Sequence, residues 1–311
     1  MTAELAREWR PRRPTSVWLV LGGHRRGAGD PTMRRDEAGL WLARRTPDGP
    51  GTLLLRQAAD GVVGARAWGS GAAWLLASVP ALLGDGDDET GFEPGHPLLH
   101  EAHRAHRSWH VSRTGLVLES LVPSIIEQKV TGQEAFGGYR RLVRRFGEPA
   151  PGPAGELDAS GRPGLMVAPT PQQWRAVPSW AWLQAGVDAA RSDTVVRAMA
   201  SAGRLAQAAE LPLEQAYTRL RAVPGIGRWT AAEVGQRALG DADAVSFGDY
   251  HVARNIGWAL VGEEIDDARL EELLEPWRGH RYRVQRLLEL AGHLHPRRGA
   301  RMAPRTHLPR R

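Results

Sequence analysis

The stretch Val245-Ser246-Phe247-Gly248-Asp249-Tyr250-His251 sets one carboxylate, Asp249, at the start of a helical pattern. Alone, an aspartate there reads as an N-cap that accepts from the helix's first free amides. Upstream lies Ala222-Val223-Pro224-Gly225-Ile226-Gly227-Arg228-Trp229-Thr230-Ala231, where one helix ends, a Gly-Ile-Gly turn follows and a second helix begins. Gly225 and Gly227 permit positive φ and close approach of another backbone. The turn (Gly225, Ile226, Gly227) and the new helix start (Arg228, Thr230) then present N–H groups to a phosphate, holding a nucleic-acid backbone without reading its bases. By itself such a turn is an ordinary helix–helix connection. Just upstream of Asp249 it changes that residue's reading, because a carboxylate beyond a phosphate clamp faces a sugar. Cleaving an N-glycosidic bond builds oxocarbenium-like charge on the sugar, and a fixed carboxylate stabilises it.

Composition narrows the chemistry. The 311 residues include no cysteine, which excludes disulfides, cysteine-ligated iron–sulfur clusters and zinc–thiolate sites. Lysine occurs once, at Lys129, so any Schiff base through a lysine must use it. The net charge of +6 favours a polyanionic partner, nucleic acid or an anionic membrane surface. No apolar run approaches the ~20 residues that span a bilayer. Residues 1–13 carry Glu4 and Glu8 and lack the apolar core of a signal peptide, so the reading is a cytoplasmic protein. No organic cofactor is expected. His96, His100, His103, His106 and His110 recur at spacings that could pair imidazoles on one helix face, as zinc would require. No hydrolase motif accompanies them, and with Arg104 and Arg107 they read as a basic connector between domains rather than a metal site.

The elements that must position these groups fall into two parts, as the length suggests at roughly 150 residues per domain. Short apolar runs at 17–21, 40–43, 52–55 and 62–65, separated by Gly- and Pro-rich turns, predict a small antiparallel sheet. Residues 72–83 predict a helix covering one face, and the acidic segment 84–88 a flexible boundary. From Pro97 the period turns helical, with Leu118, Leu121, Val122, Ile125, Ile126 and Val130 marking a buried stripe. A Gly/Pro-rich loop at 148–163 precedes helices expected near 171–176, 189–202, 213–222, 230–239, 250–261, 267–274 and 281–293. The fold class is therefore α+β: an accessory sheet domain over 1–95, an all-α domain over 96–295 and a basic, disordered tail over 296–311.

Hairpin and spaced aspartate together resemble the helix-hairpin-helix DNA glycosylase superfamily and, within it, the DNA-3-methyladenine glycosylase II family. Pro224-Gly225-Ile226-Gly227-Arg228-Trp229-Thr230-Ala231 and Asp249-Tyr250 carry the match, including the interval between Trp229 and Asp249. Ser124-Ile125-Ile126-Glu127-Gln128-Lys129-Val130-Thr131 is similar to the family's helix end that approaches DNA, and Pro276-Trp277-Arg278 to its late Pro-Trp-Arg. The resemblance implies excision of alkylated purines of the 3-methyladenine type from damaged double-stranded DNA by a monomer, with Asp249 catalytic and Trp229 in the base pocket. It also implies DNA contacts from Gln128, Lys129 (at a wedge-like position) and Thr131. Relatives with lyase activity carry a lysine where Trp229 stands, so a monofunctional enzyme that leaves an abasic site is expected. Alkylated purines are cationic, and aromatic faces attract cations by ~0.5–2 kcal/mol. Tyr250, Trp182 and Trp180 therefore join Trp229 as pocket candidates. Glu233, one turn beyond Trp229, is a candidate to hydrogen-bond a flipped base, although a solvated helix face is its plainer reading. The alternatives are another purine lesion or a non-catalytic damaged-DNA-binding protein.

Overall fold

The computed structural model describes residues 4–157, 161 and 163–296. Its N-terminal part is a five-stranded antiparallel sheet of β1 (Glu4–Trp9), β2 (Met33–Asp36), β3 (Gly39–Thr46), β4 (Gly49–Gln57) and β5 (Val63–Gly69), in the order β1-β5-β4-β3-β2. Alternation along the strands sorts side chains to two faces. Leu40, Leu42, Leu53, Leu55, Ala65 and Ala67 face a core shared with helix α2 (Ala72–Leu82), as expected from the sequence. Trp41, Ala43, Leu54 and Trp68 face the other way and are covered by Ala150, Ala154, Leu165 and Val167. The Gly/Pro-rich loop expected at 148–163 is thus partly a lid on the sheet, and it carries a two-residue ladder between Glu148–Pro149 and Met166–Val167. Burial on both faces explains why the central strands read as continuous apolar runs.

Three expectations change here. The run at 17–21 is a helix, α1 (Val17–Leu21), because Ser16 caps it by accepting from the Leu19 amide. A short unbroken apolar run carries no period to separate strand from buried helix. Both edge strands, β1 and β2, escaped detection because they are charged, as exposed sheet edges tend to be. The acidic segment 84–88 is pinned rather than flexible. Asp87 accepts from both Arg283 nitrogens at 2.6 and 3.0 Å and from the Val111 amide, and its side chain is only 2% exposed.

The remaining helices are α3 (Pro97–Ala105), α4 (Val117–Ile126), α5 (Gly132–Phe146), α6 (Pro171–Ala176), α7 (Ser179–Gln184), α8 (Ala189–Ala200) and α9 (Ala202–Ala206). They continue with α10 (Leu213–Arg221), α11 (Arg228–Val234), α12 (Val252–Val261), α13 (Asp267–Leu273) and α14 (Arg281–Leu290). The predicted stripe on α4 lies at the centre of one core, with α5, α8 and α11 around it. A second core joins α3, α12, α13 and α14 through Leu99, Trp109, Phe247, Ile256 and Leu287. Arg26, just after α1, forms a buried ion pair with Glu127 at the end of α4, so the sheet part and the helical part are clasped together. Among the described residues no helix is long and apolar enough to cross a membrane. Apart from Pro296, the tail expected from 296 lies outside the described residues.

Candidate active site

The hairpin is built largely from backbone. Gly225 has φ +96, and a Cβ there would lie 2.4 Å from Thr194 Oγ1, so the turn requires glycine. Gly227 is different: its φ of −92° and ψ of −173° are extended, contrary to the expectation of positive φ at both glycines. It precedes α11 without a side-chain cap, and a Cβ there would meet nothing within 4 Å. Ile226 buries its side chain in the helical core and leaves only backbone at the turn. Gln128 Nε2 donates to Gly225 O at 2.9 Å and to Thr230 Oγ1 at 2.8 Å, so two residues expected at DNA tie α4 to the hairpin. The Arg228 guanidinium lies 3.8 Å from the centre of the Phe247 ring and pairs with Glu271 at 2.9 Å, stapling the hairpin to the loop that carries Asp249. Thr131 caps α5, accepting from the Glu134 amide and donating to its carboxylate. Lys129 is exposed and has φ +55, the one positive φ outside glycine among the described residues.

Asp249 is the N-cap that its position at a helix start suggests. Its Oδ1 accepts from the His251 amide at 2.8 Å and the Val252 amide at 3.3 Å, capping α12. Its Oδ2 accepts from Trp229 Nε1 at 3.2 Å. The half-buried carboxylate lines a cavity of about 190 Å³. That is more than ten times the ~10–15 Å³ a single water needs on the same measure. Its walls come from α1 and the following turn (Val20, Gly23, His24), the segment after α3 (Trp109, Ser112), the α11 region (Glu233, Gln236, Arg237), Ser246, and α14 (Tyr282, Gln285, Arg286, Glu289).

Of the five pocket candidates, only Glu233 is in this wall. Trp229 flanks the Asp249 carboxylate from the hairpin side. Tyr250 is 72% exposed and touches His251 and Arg254. Trp182 is a core residue, stacked on Trp174 with ring centres 5.7 Å apart and donating to Val177 O. Trp180 lies under the Arg145 guanidinium on the surface. Glu233 is also not the solvated residue its spacing suggested, being 8% exposed. Aromatic faces for a cationic base were expected from Trp229, Tyr250, Trp182 and Trp180, whereas this wall sets Trp109 and Tyr282 among mostly polar neighbours. His24, Gln236, Arg237, Tyr282 and Gln285 carried no local signal, since only the fold brings distant elements together there.

The charges in this wall are organised. Glu233 accepts from Arg237 at 2.6 Å and from Ser246 Oγ at 2.5 Å, and Ser246 in turn accepts from Gln236 Nε2 at 2.8 Å. Burial works to raise the Glu233 pKa, but Arg237 and the Ser246 hydroxyl outweigh it and hold the carboxylate below its usual value. Burial, reinforced by Arg237, Arg44, Arg26 and Arg286, drives His24 well below its usual value, so its imidazole is neutral at pH 7. Burial pushes the Tyr282 phenol up to about 12, keeping it protonated.

The histidine series forms a separate cluster. His96 caps α3, while His103 and His110 converge on Glu89 at 3.1 and 3.4 Å. Asp87, Glu89 and His110 bring potential ligand atoms within 4.8 Å of one another. Guanidinium groups already occupy both carboxylates, Arg283 on Asp87 and Arg13 on Glu89, which suits a structural junction rather than a cation site.

No protein-family model and no curated protein sequence matches the chain. Solved structures do match it, DNA glycosylases among them. The chain is similar to a 3-methyladenine DNA glycosylase from Archaeoglobus fulgidus, with TM-score 0.71 and 18% identity over 92% of this chain and 98% of that one. It is similar too to the Clostridium acetobutylicum 8-oxoguanine glycosylase/lyase in complex with double-stranded DNA, with TM-score 0.67 and 11% identity over 94% and 99%. At these identities the likeness is one of fold.

Proposed function

We propose that the chain is a monofunctional DNA glycosylase that flips an alkylated purine out of duplex DNA and hydrolyses its N-glycosidic bond. The observation that carries this reading is the Asp249 carboxylate, held on both oxygens, on the wall of a cavity and beside a backbone-built hairpin. In the reaction the C1′–N bond breaks and the base leaves with the bonding electrons. Asp249 stabilises the resulting positive sugar and accepts a proton from the water whose oxygen bonds C1′, leaving an abasic site. Trp229 offers no amine, and Lys129 is not among the residues lining the cavity, so the reading excludes a Schiff-base lyase through lysine. The formal charges of Glu233 with Arg237 and Glu289 with Arg286 cancel in pairs, leaving Asp249 as the complement to a cationic base.

A second reading keeps the enzyme and changes the lesion. The polar wall of Glu233, Gln236, Tyr282 and Gln285 suits a neutral oxidised or deaminated purine recognised by hydrogen bonds. The test is free-base release from methylated duplex DNA, with Asp249→Asn as control. Wild type should release methylated purines, and the variant should be slower by about 10²–10³-fold. Release only from oxidised or deaminated duplexes would favour the second reading. Equal affinity for damaged and undamaged duplexes with no release would leave a DNA-binding protein.

A further inference from the structure

Asp249 departs from a stretch of chain with no regular structure of its own. Residues 240–251 form neither helix nor strand, so side chains from elsewhere must fix its course. One of them grips it at two points. Gln236 Nε2 donates to Ala244 O at 2.7 Å and to Ser246 Oγ at 2.8 Å, spending both of its hydrogens. The orientation of that amide is determined by chemistry, because a carbonyl only accepts and so must face the NH₂. The Ser246 hydroxyl donates to Glu233 Oε1 at 2.5 Å, which leaves its lone pairs for Gln236. The Ser246 carbonyl in turn accepts from the Asp249 amide at 3.1 Å. Gln236 and Ser246 are both buried, where such bonds hold direction best.

The helix is shaped for this grip. α11 runs on into a π-helical turn, Gly235–Leu239, the one such turn among the described residues. Single π turns inside helices occur frequently at functional sites. A Cβ at Gly235 would run into Tyr217 Oη and lie 3.0 Å from Ala244 Cβ, so the turn seats directly against the loop. We propose, on the footing of the glycosylase reading, that Gln236 is a positioning residue for the catalytic carboxylate. Its amide fixes residues 244–246 and, through the Ser246 carbonyl and the Asp249 amide, the direction from which Asp249 faces the sugar. Trp229 and the α12 amides hold the carboxylate itself; Gln236 holds the main chain from which it springs. Misplacing a reacting group by about 1 Å can cost on the order of 10²-fold in rate, so a main-chain anchor of this kind acts on the chemical step.

Single-turnover base release from methylated duplex DNA by the full chain tests this, read beside the affinity for a duplex holding an abasic site. Gln236→Met keeps the length and bulk of the side chain and removes both donors. It should lower the saturated rate of release by about tenfold, with the half-saturating concentration and the abasic-duplex affinity within about twofold of wild type. Ser246→Ala keeps the bond to Ala244 O and loses the other. It should lower the rate by about threefold with the same unchanged affinity, and it decides the matter if Gln236→Met fails to fold. A wild-type rate in the folded variants would overturn the positioning role while leaving the glycosylase reading standing. So would a loss of rate matched by an equal loss of affinity, which would make Gln236 a support of the whole site rather than of Asp249. A folded wild type that releases no base, or whose release Asp249→Asn leaves untouched, would remove the role together with the reading beneath it.

Discussion

The hairpin and the polar cavity wall share one stretch of chain, yet they are made of different material. The turn from Ala222 to Thr230 works mainly through main chain: a glycine that must be glycine, an open glycine before α11, and an isoleucine that turns inward. One turn further on, Glu233 and Arg237 work entirely through side chains, paired with each other and with Ser246 across the cavity. A backbone device depends on local residue types. A side-chain device depends on which distant elements the fold sets opposite it, and it keeps charge where water is scarce. The first should tolerate the loss of side chains and resist added ones; the second should behave the other way round.

The largest effect follows from breaking the second device. Glu233→Ala leaves the Arg237 guanidinium in the wall without its carboxylate, and removing one member of a buried pair costs about 3–5 kcal/mol. A denaturant midpoint that barely moves would show the wall to be wetter than its 8% exposure for Glu233 indicates.

The junction at Glu89 is the same kind of device and responds to acid. His110, with Arg283, His103 and Arg13, holds Glu89 at about 2 from an ordinary 4.5, against the opposing effect of burial. A depressed carboxylate stabilises the fold above its unfolded pKa. That contribution is fully present above about pH 4.5 and disappears as pH falls toward 2. Discounted for its partial exposure, it is of the order of 2 kcal/mol. Thermal melts from pH 6 down to 2.5 should show a shallower acid decline in Glu89→Gln than in wild type. Parallel curves would assign the decline to other carboxylates.

The same contrast decides what the sequence could reveal. Gly225, Trp229 and Asp249 stand out because a tight turn and a helix start restrict residue type locally, and α4 shows its buried stripe because its own period records it. The central strands and α2 were legible for that reason. The edge strands β1 and β2 were not, since charged edges lack the apolar signal, and α1 read as a strand because five apolar residues have no period. The cavity wall was invisible. His24 and Tyr282 meet there only after the sheet part, α11 and α14 have docked, and Glu233 looks like a surface glutamate until Ser246 and Arg237 enclose it. Abundant tryptophan misled in the other direction. Trp182 is core, and Trp229 serves the carboxylate from outside the cavity wall.

Two glycine substitutions sharpen the comparison at smaller cost. Gly225→Ala forces a side chain into φ +96 and against Thr194 Oγ1, which should destabilise the fold by about 1–3 kcal/mol. Gly227→Ala meets extended backbone and open space, so its melting temperature should stay close to wild type. If a phosphate approaches that open amide, Gly227→Ala nevertheless weakens duplex binding, equally for damaged and undamaged DNA. Wild-type affinity in that variant would place the backbone contact elsewhere.

The smallest effect lies where the two devices touch. Trp229 Nε1 is the hairpin's one hydrogen bond to the catalytic candidate, at 3.2 Å, while two main-chain amides hold the other carboxylate oxygen. Trp229→Phe keeps a ring for packing and removes the donor, a loss of about 1 kcal/mol and therefore roughly a fivefold fall in single-turnover base release. Because the indole acts on Asp249 and not on the cavity wall, the fall should appear in kcat with KM nearly unchanged. An unchanged kcat would mean that the α12 amides alone aim the carboxylate and that the hairpin contributes binding only. A rise in KM with kcat intact would put the indole against the DNA rather than behind the aspartate.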